Sequence, residues 1–107
     1  MSLDVYLIDG ECGEVFSANI THNLGEMASE AGIYKCLWRP GEIGAKLASD
    51  ITDELTRGFT DMCMRPTHFK TFDASNGWGT YKNFLPWVAD YLEACKNYPD
   101  ATIEISR

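Results

Sequence analysis

Apolar residues alternate with other side chains at both ends of this chain and recur with helical spacing between them. That change of period restricts the fold more than any other feature. At the start, Leu3, Val5 and Leu7 alternate with Asp4, Tyr6 and Ile8, the two-residue period of a strand. A second run, Glu14 to Ile20, follows across Asp9-Gly10-Glu11-Cys12-Gly13, a polar link whose two glycines can take positive φ. Together the two runs read as a β-hairpin. At the far end Ile103 and Ile105 share one face and Thr102, Glu104 and Ser106 the other, which predicts a third strand over 101–106. Three strands are about the minimum for an independently stable sheet.

Between the hairpin and the last strand the spacing is helical. Leu24, Met27, Ala28 and Ala31 predict a short first helix, with Asn23 and Glu26 placed as a capping box and Gly32 as its stop. Ile51, Leu55, Phe59, Met62 and Cys63 make the next stripe, ended by Arg65-Pro66. Phe84, Val88, Tyr91, Leu92 and Cys95 make the third, capped by Thr80 or Asn83; with Asn83 as the cap, Pro86 falls in the first turn. The segment from Gly32 to Leu37 reads equally as an extended or a helical connection. The expected fold is α+β over a single domain, 1–107: a small antiparallel three-stranded sheet, the N-terminal hairpin plus the C-terminal strand, with three or more helices packed on one face.

Charge and cysteine usage narrow the function. The chain carries 16 acidic against 9 basic residues, a net charge of −7, and its Lys and Arg are scattered in sequence, so a grip on nucleic-acid backbone is not expected. Cys12, Cys36, Cys63 and Cys95 are evenly spread and never paired as C-x-x-C, and no apolar run reaches membrane length. A reduced cytoplasmic setting, with no membrane partner, is expected. Cys63 and Cys95 fall on helical apolar stripes, where a thiol serves as a small hydrophobe. No metal and no cofactor is expected.

Three segments have the composition of loops held in one shape: Asn19-Ile20-Thr21-His22-Asn23, Leu37-Trp38-Arg39-Pro40 and Asn76-Gly77-Trp78-Gly79-Thr80. In the first, Asn19, Thr21 and Asn23 surround His22, with Glu26 one helical turn on. This is either an ordinary helix entry, capped by Thr21 or Asn23, or a site for an anion, and an imidazole beside a carboxylate is also the minimum equipment for acid–base work. In the second, Trp38 and Arg39 suit a planar anionic molecule, the ring stacking and the guanidinium forking onto phosphate or carboxylate; the alternative is a Trp38 that plugs the core. In the third, glycines on both sides of Trp78 free the backbone for close approach and place a large ring on a turn, with Asn76 and Thr80 at its ends. The spacing is neither that of a P-loop nor that of a dinucleotide fingerprint, and no serine or cysteine sits in a nucleophile context.

The strings Asn-Ile-Thr-His-Asn-Leu-Gly, Leu-Trp-Arg-Pro and Asn-Gly-Trp-Gly-Thr-Tyr together resemble a family of small proteins of bacteria and their phages, over nearly the whole chain. The resemblance implies a cytosolic, phage-derived origin and carries no activity or catalytic residue. The leading expectation is a non-enzymatic binding module for a small polar, nucleotide-like ligand, such as a phage sponge that sequesters an immune signalling nucleotide. Arg39 would take the anionic group, Trp38 and Trp78 would stack, and His22, Asn19, Asn23 and Asn76 would read polar edges. An acidic inhibitor or adaptor acting on a host protein is the second reading, and a phosphoester-processing enzyme using His22 and Glu26 the third. Trp87 and Tyr98 are read as side chains that serve either the core or a homodimer.

Overall fold

The computed structural model describes residues 2–107. The alternating segments form strands β1 (Ser2–Asp9), β2 (Gly13–Thr21) and β3 (Thr102–Ser106), all antiparallel in the order β2-β1-β3. Helices α1 (Gly25–Glu30), α2 (Tyr34–Trp38), α3 (Thr52–Met64), α4 (Pro66–Lys70) and α5 (Tyr81–Asn97) lie between β2 and β3, with short 3-10 turns at His22–Leu24, Pro40–Ile43 and Ala48–Asp50. This is the α+β arrangement that the change of period predicts.

The register explains why one face of the sheet is buried. Leu3, Val5 and Leu7 of β1 lie opposite Ile20, Ala18 and Phe16 of β2, and Val5 and Leu7 lie opposite Ile105 and Ile103 of β3. All of these side chains point to the helices, and Leu3, Val5 and Leu7 are fully buried. Burying each is worth about 1.5–3 kcal/mol relative to exposure. The opposite face carries Asp4, Tyr6, Asn19, Ser17, Glu104 and Ser106, and stays wetter. A bulge between Leu7 and Ile8 shifts the register near the hairpin end, so that Ile8 pairs with Glu14. The turn is held by Asp9, whose Oδ1 accepts from the N–H groups of Glu11 at 2.8 Å and Cys12 at 3.0 Å. Those two bonds hold its carboxyl below the usual carboxylate range.

The helices bear out the apolar stripes with changes at their ends. Thr21, not Asn23, caps the first turn, its Oγ1 accepting from the Asn23 N–H at 3.3 Å. Gly32, at φ 77°, ends α1 as expected. The connection Gly32–Leu37 is helical from Tyr34 onward. Arg65-Pro66 ends α3, yet Pro66 also occupies the first turn of α4, a helix the stripes do not announce. Helix α5 starts at Tyr81, so Pro86 lies beyond its first turn, on the exposed side where water can reach the carbonyl left without an N–H. Phe84, Val88, Tyr91, Leu92 and Cys95 all face the core, and Phe16 of β2 stacks on Tyr91 at 5.7 Å and 9°. Cys63 departs from expectation: it is exposed, because the buried stripe of α3 runs through Leu55, Gly58 and Met62 and leaves the next residue turned outward.

Cys36 and Cys95 are buried, and burial pushes both thiols up to about 12. An unfolded thiol ionises near its ordinary value of 9.0, so between that value and 12 the unfolded chain has lost protons that the folded chain keeps. Stability contributed by these thiols is full below pH about 9 and declines as pH rises above it. A maleimide chase should therefore add two labels to the native protein, at Cys12 and Cys63, and four after denaturation, read by intact mass.

Gly58 sits in the interior of α3, where a Cβ would lie 2.3 Å from Ile33 Cγ2 and 2.9 Å from the Ala31 carbonyl oxygen. Ala would gain about 1 kcal/mol of helix propensity there. The overlap costs more, about 1–3 kcal/mol, because the carbonyl belongs to the backbone between α1 and α2 and cannot rotate aside. Gly58→Ala should lower the melting temperature by several degrees, measured by circular dichroism.

Candidate functional site

The first and third loop segments meet at the end of the hairpin. The chain from Asp73 to Tyr81 is closed on itself: the Ala74 N–H donates to the Gly79 carbonyl at 3.0 Å, and the Gly77 N–H to the Ala74 carbonyl at 3.1 Å. Asn76 Oδ1 accepts from the Trp78 N–H at 2.9 Å, and Asp73 Oδ1 accepts from the Tyr81 N–H at 2.7 Å, capping α5 from outside. Gly77 and Gly79 both take positive φ, 78° and 104°. A Cβ on Gly79 would lie 3.0 Å from Asn23 Cβ and 3.2 Å from Thr21 Cγ2, so only glycine lets the two loops approach this closely. Across the contact, Asn23 Nδ2 donates to the Trp78 carbonyl at 2.9 Å.

An open cleft of about 800 Å³ lies along this junction, walled by Asn19 to Leu24, Asn76 to Gly79, Ser2, Asn83 and Trp87. Trp87 roofs one end, its Nε1–H donating to the Asn19 carbonyl at 3.0 Å while its ring packs on Phe84 and Tyr91. Asn19 is already engaged, its Nδ2 donating to Asp4 Oδ1 at 2.6 Å and Ser2 Oγ at 3.1 Å. Among the described residues, Asn23 Oδ1, Asn76 Nδ2 and the whole Asn83 amide have no hydrogen-bond partner. None of the wall residues is Asp, Glu, Lys or Arg. In a chain with 23% charged residues, that leaves a wall of amides, hydroxyls and indoles with His22 as its one titratable group.

The two tryptophans expected to stack on a ligand lie in opposite environments. Trp78 is 70% exposed on its turn, its ring free for a ligand. Trp38 is 3% exposed and stacks on Tyr34 at 5.2 Å and 9°, so it packs the core edge. Between them stands His22, its ring edge-on to Trp38 at 6.2 Å and 74°, with Nε2 buried and without a hydrogen-bond partner among the described residues. His22 lines the main cleft and two neighbouring ones: one of about 680 Å³ with Glu26, Phe72 and Asp73, and one of about 610 Å³ with Tyr34, Trp38, Arg39 and Arg107. No hydrogen bond joins His22 to Glu26 among the described residues.

The structure thus brings Asn19, Thr21, His22, Asn23, Asn76 and Trp78 together and sets Trp38, Arg39 and Thr80 apart from the main cleft. Arg39 lies beyond His22 and is paired with Glu42 at 3.2 Å. Its pKa is raised, chiefly by the neighbouring Tyr34 hydroxyl and less by Glu42. Thr80 is the extended residue just before α5, its carbonyl accepting from the Asn83 and Phe84 N–H groups while its side chain makes no capping bond. Asn83 and Trp87 are wall residues that the sequence suggested only as a cap and as an apolar surface. Helical spacing from Thr80 held the signal, since positions three and seven residues on lie on one side of a helix.

Among the described residues no three His, Cys, Asp or Glu side chains gather as a metal-ion set, and no helix is long and apolar enough to cross a membrane. Comparison with protein-family models, curated proteins and solved structures gives no match.

The contrast between the tryptophans is measurable. Trp38→Ala should cost about 3–5 kcal/mol, the usual penalty for emptying a buried aromatic site. Trp78→Ala should leave the unfolding free energy from urea titration within about 0.5 kcal/mol of the parent, as for other exposed positions.

Proposed function

We propose that the chain is a non-enzymatic binding module whose ligand is a small, planar, polar molecule of nucleotide type, held in the cleft between the 19–24 and 76–79 loops. The observation that carries this reading is an exposed Trp78 ring, fixed on a glycine-flanked turn, at the mouth of an uncharged, amide-lined cleft. A base stacks on an indole whatever its identity, and an amide side chain offers a donor and an acceptor to its edge. The free polar atoms of Asn23, Asn76 and Asn83 are suited to that reading. The volume of about 800 Å³ lies within the range of small-molecule sites.

The lack of charge on the wall assigns the neutral part of such a ligand to this cleft. A phosphate would extend past His22 toward Arg39 and Arg107, which line the adjoining cleft. A sponge that holds a signalling nucleotide without altering it needs stacking and edge recognition but no nucleophile, and that matches the residues assembled here. The phage setting remains the one implied by the sequence strings, and the acidic adaptor is the competing reading.

The test is to incubate the purified protein with linear and cyclic nucleotides, remove free ligand, denature the protein and identify what is released by mass spectrometry. Recovery of one intact compound is the expected result. Trp78→Ala should weaken its binding roughly 5- to 150-fold, the value of one stacked base. A chemically altered compound would overturn the non-enzymatic reading, and an empty panel would overturn the nucleotide site.

A further inference from the structure

The nine Lys and Arg residues are scattered in sequence, but the fold gathers three of them. Arg39, Lys46 and Arg107 line a groove of about 440 Å³ between the Pro40–Ile43 turn and the outer side of β3. Its floor is Pro40, Ala45, Ile103 and Ile105, and its one acid is Glu42, which pairs with Arg39. On a chain of net charge −7 this is a local reversal of sign.

The groove also contains unfinished sheet. In an antiparallel strand the N–H and C=O of one residue point to the same side, and alternate residues point to opposite sides. The Ile103 N–H donates outward to the Lys46 carbonyl at 2.8 Å, and the Ala48 N–H donates to the Ala101 carbonyl at 2.9 Å, so Lys46 to Ala48 covers the first part of the β3 edge. N-terminal to Lys46 the chain turns away through Gly44, at φ 71°. Ile105 presents its N–H and C=O to the same outer side, and among the described residues neither they nor the Ile103 carbonyl has a partner. Exposed edges of this kind are templates for an added strand.

We infer that the outer edge of β3 docks an extended acidic peptide, which pairs with Ile103 and Ile105 through its backbone and sets its carboxylates against Arg39, Lys46 and Arg107. Backbone pairing supplies the direction and the three cations supply the preference for acid. The Arg39–Glu42 pair is exposed on both sides and therefore weak, so a peptide carboxylate can share the guanidinium. This surface lies apart from the Trp78 cleft but shares Arg39 and Arg107 with the adjoining cleft, so a phosphate placed there would compete with the peptide for those two cations, while the pairing at Ile105 and the charge of Lys46 are the peptide's alone.

The experiment is an NMR titration of the ¹⁵N-labelled protein with a peptide of alternating valine and glutamate. Shifts should concentrate at Ile103, Ile105 and the 39–46 segment, and the Ile105 amide should gain protection from hydrogen exchange. Charge reversal at the three exposed cations (Arg39→Glu, Lys46→Glu, Arg107→Glu), with the fold checked by circular dichroism, should weaken binding by at least about tenfold, as for close charge pairs across an interface. Methylation of the peptide's backbone nitrogens should abolish it. Four results would overturn the inference: no shift at Ile105, equal binding of a valine–lysine peptide, unchanged binding after N-methylation, or the same shifts with inorganic phosphate alone. Concentration-dependent shifts without peptide would assign the edge to a second copy of this chain instead.

Discussion

Everything in this molecule hangs on the inner face of β1. Leu3, Val5 and Leu7 form the central row of the only sheet among the described residues, paired on one side with Ile20, Ala18 and Phe16 and on the other with Ile103 and Ile105. Because side chains alternate with period two, slipping β1 by one residue would turn that row to water and bring Asp4 and Tyr6 inward. The helices pack on that row and on one another, α3 against α5 and α1 against α2. The register of β1 therefore also sets where the end of β2 stands, and with it the loop that carries Thr21, His22 and Asn23.

The cleft is a product of that placement plus one absent side chain. Asn23 and Trp78 are 55 residues apart in sequence and joined by one hydrogen bond. The approach is possible because Gly79 has no Cβ to meet Asn23 and Thr21. Asp73 and Asn76 then tie the turn to its own backbone and to the start of α5, so the Trp78 ring is exposed on a turn fixed through the N–H groups of Ala74, Gly77, Trp78 and Tyr81. Holding a ring out in water before a ligand arrives reduces the ordering cost of binding, which makes such a turn useful for recognition.

What was legible in the sequence was what is local. The three strands and the faces of α3 and α5 follow from period, since the side chains that share a face are separated by two, three or four residues. Helix α4 was not legible, because Pro66 is at once a stop for the helix before it and a favourable first residue for the next. Cys63 was misplaced because it is adjacent to Met62, and one step on a helix is enough to leave the buried stripe. Of the candidate site, the loops were visible from their glycines and amides, but the choice between Trp38 in the core and Trp78 in solvent was not. Both rings sit beside small or turn-forming residues, and only long-range packing against Tyr34 and His22 distinguishes them.

Charge is distributed with more order than the composition suggests. The wall of the Trp78 cleft excludes every Asp, Glu, Lys and Arg, while the edge of β3 collects three cations on an acidic chain. Neither arrangement is needed for the core, since all of these cations are exposed and the buried side chains are apolar. An uncharged, amide-lined wall discriminates by shape and hydrogen-bond pattern, with binding that changes little with salt. A cationic edge discriminates by sign, with binding that falls as salt screens it. His22 stands where the two regimes approach each other, shared between the neutral cleft and the one that contains Arg39 and Arg107. On the proposed reading, a ligand with a neutral ring and an anionic tail would be read by amides at one end and guanidinium groups at the other, with His22 between them.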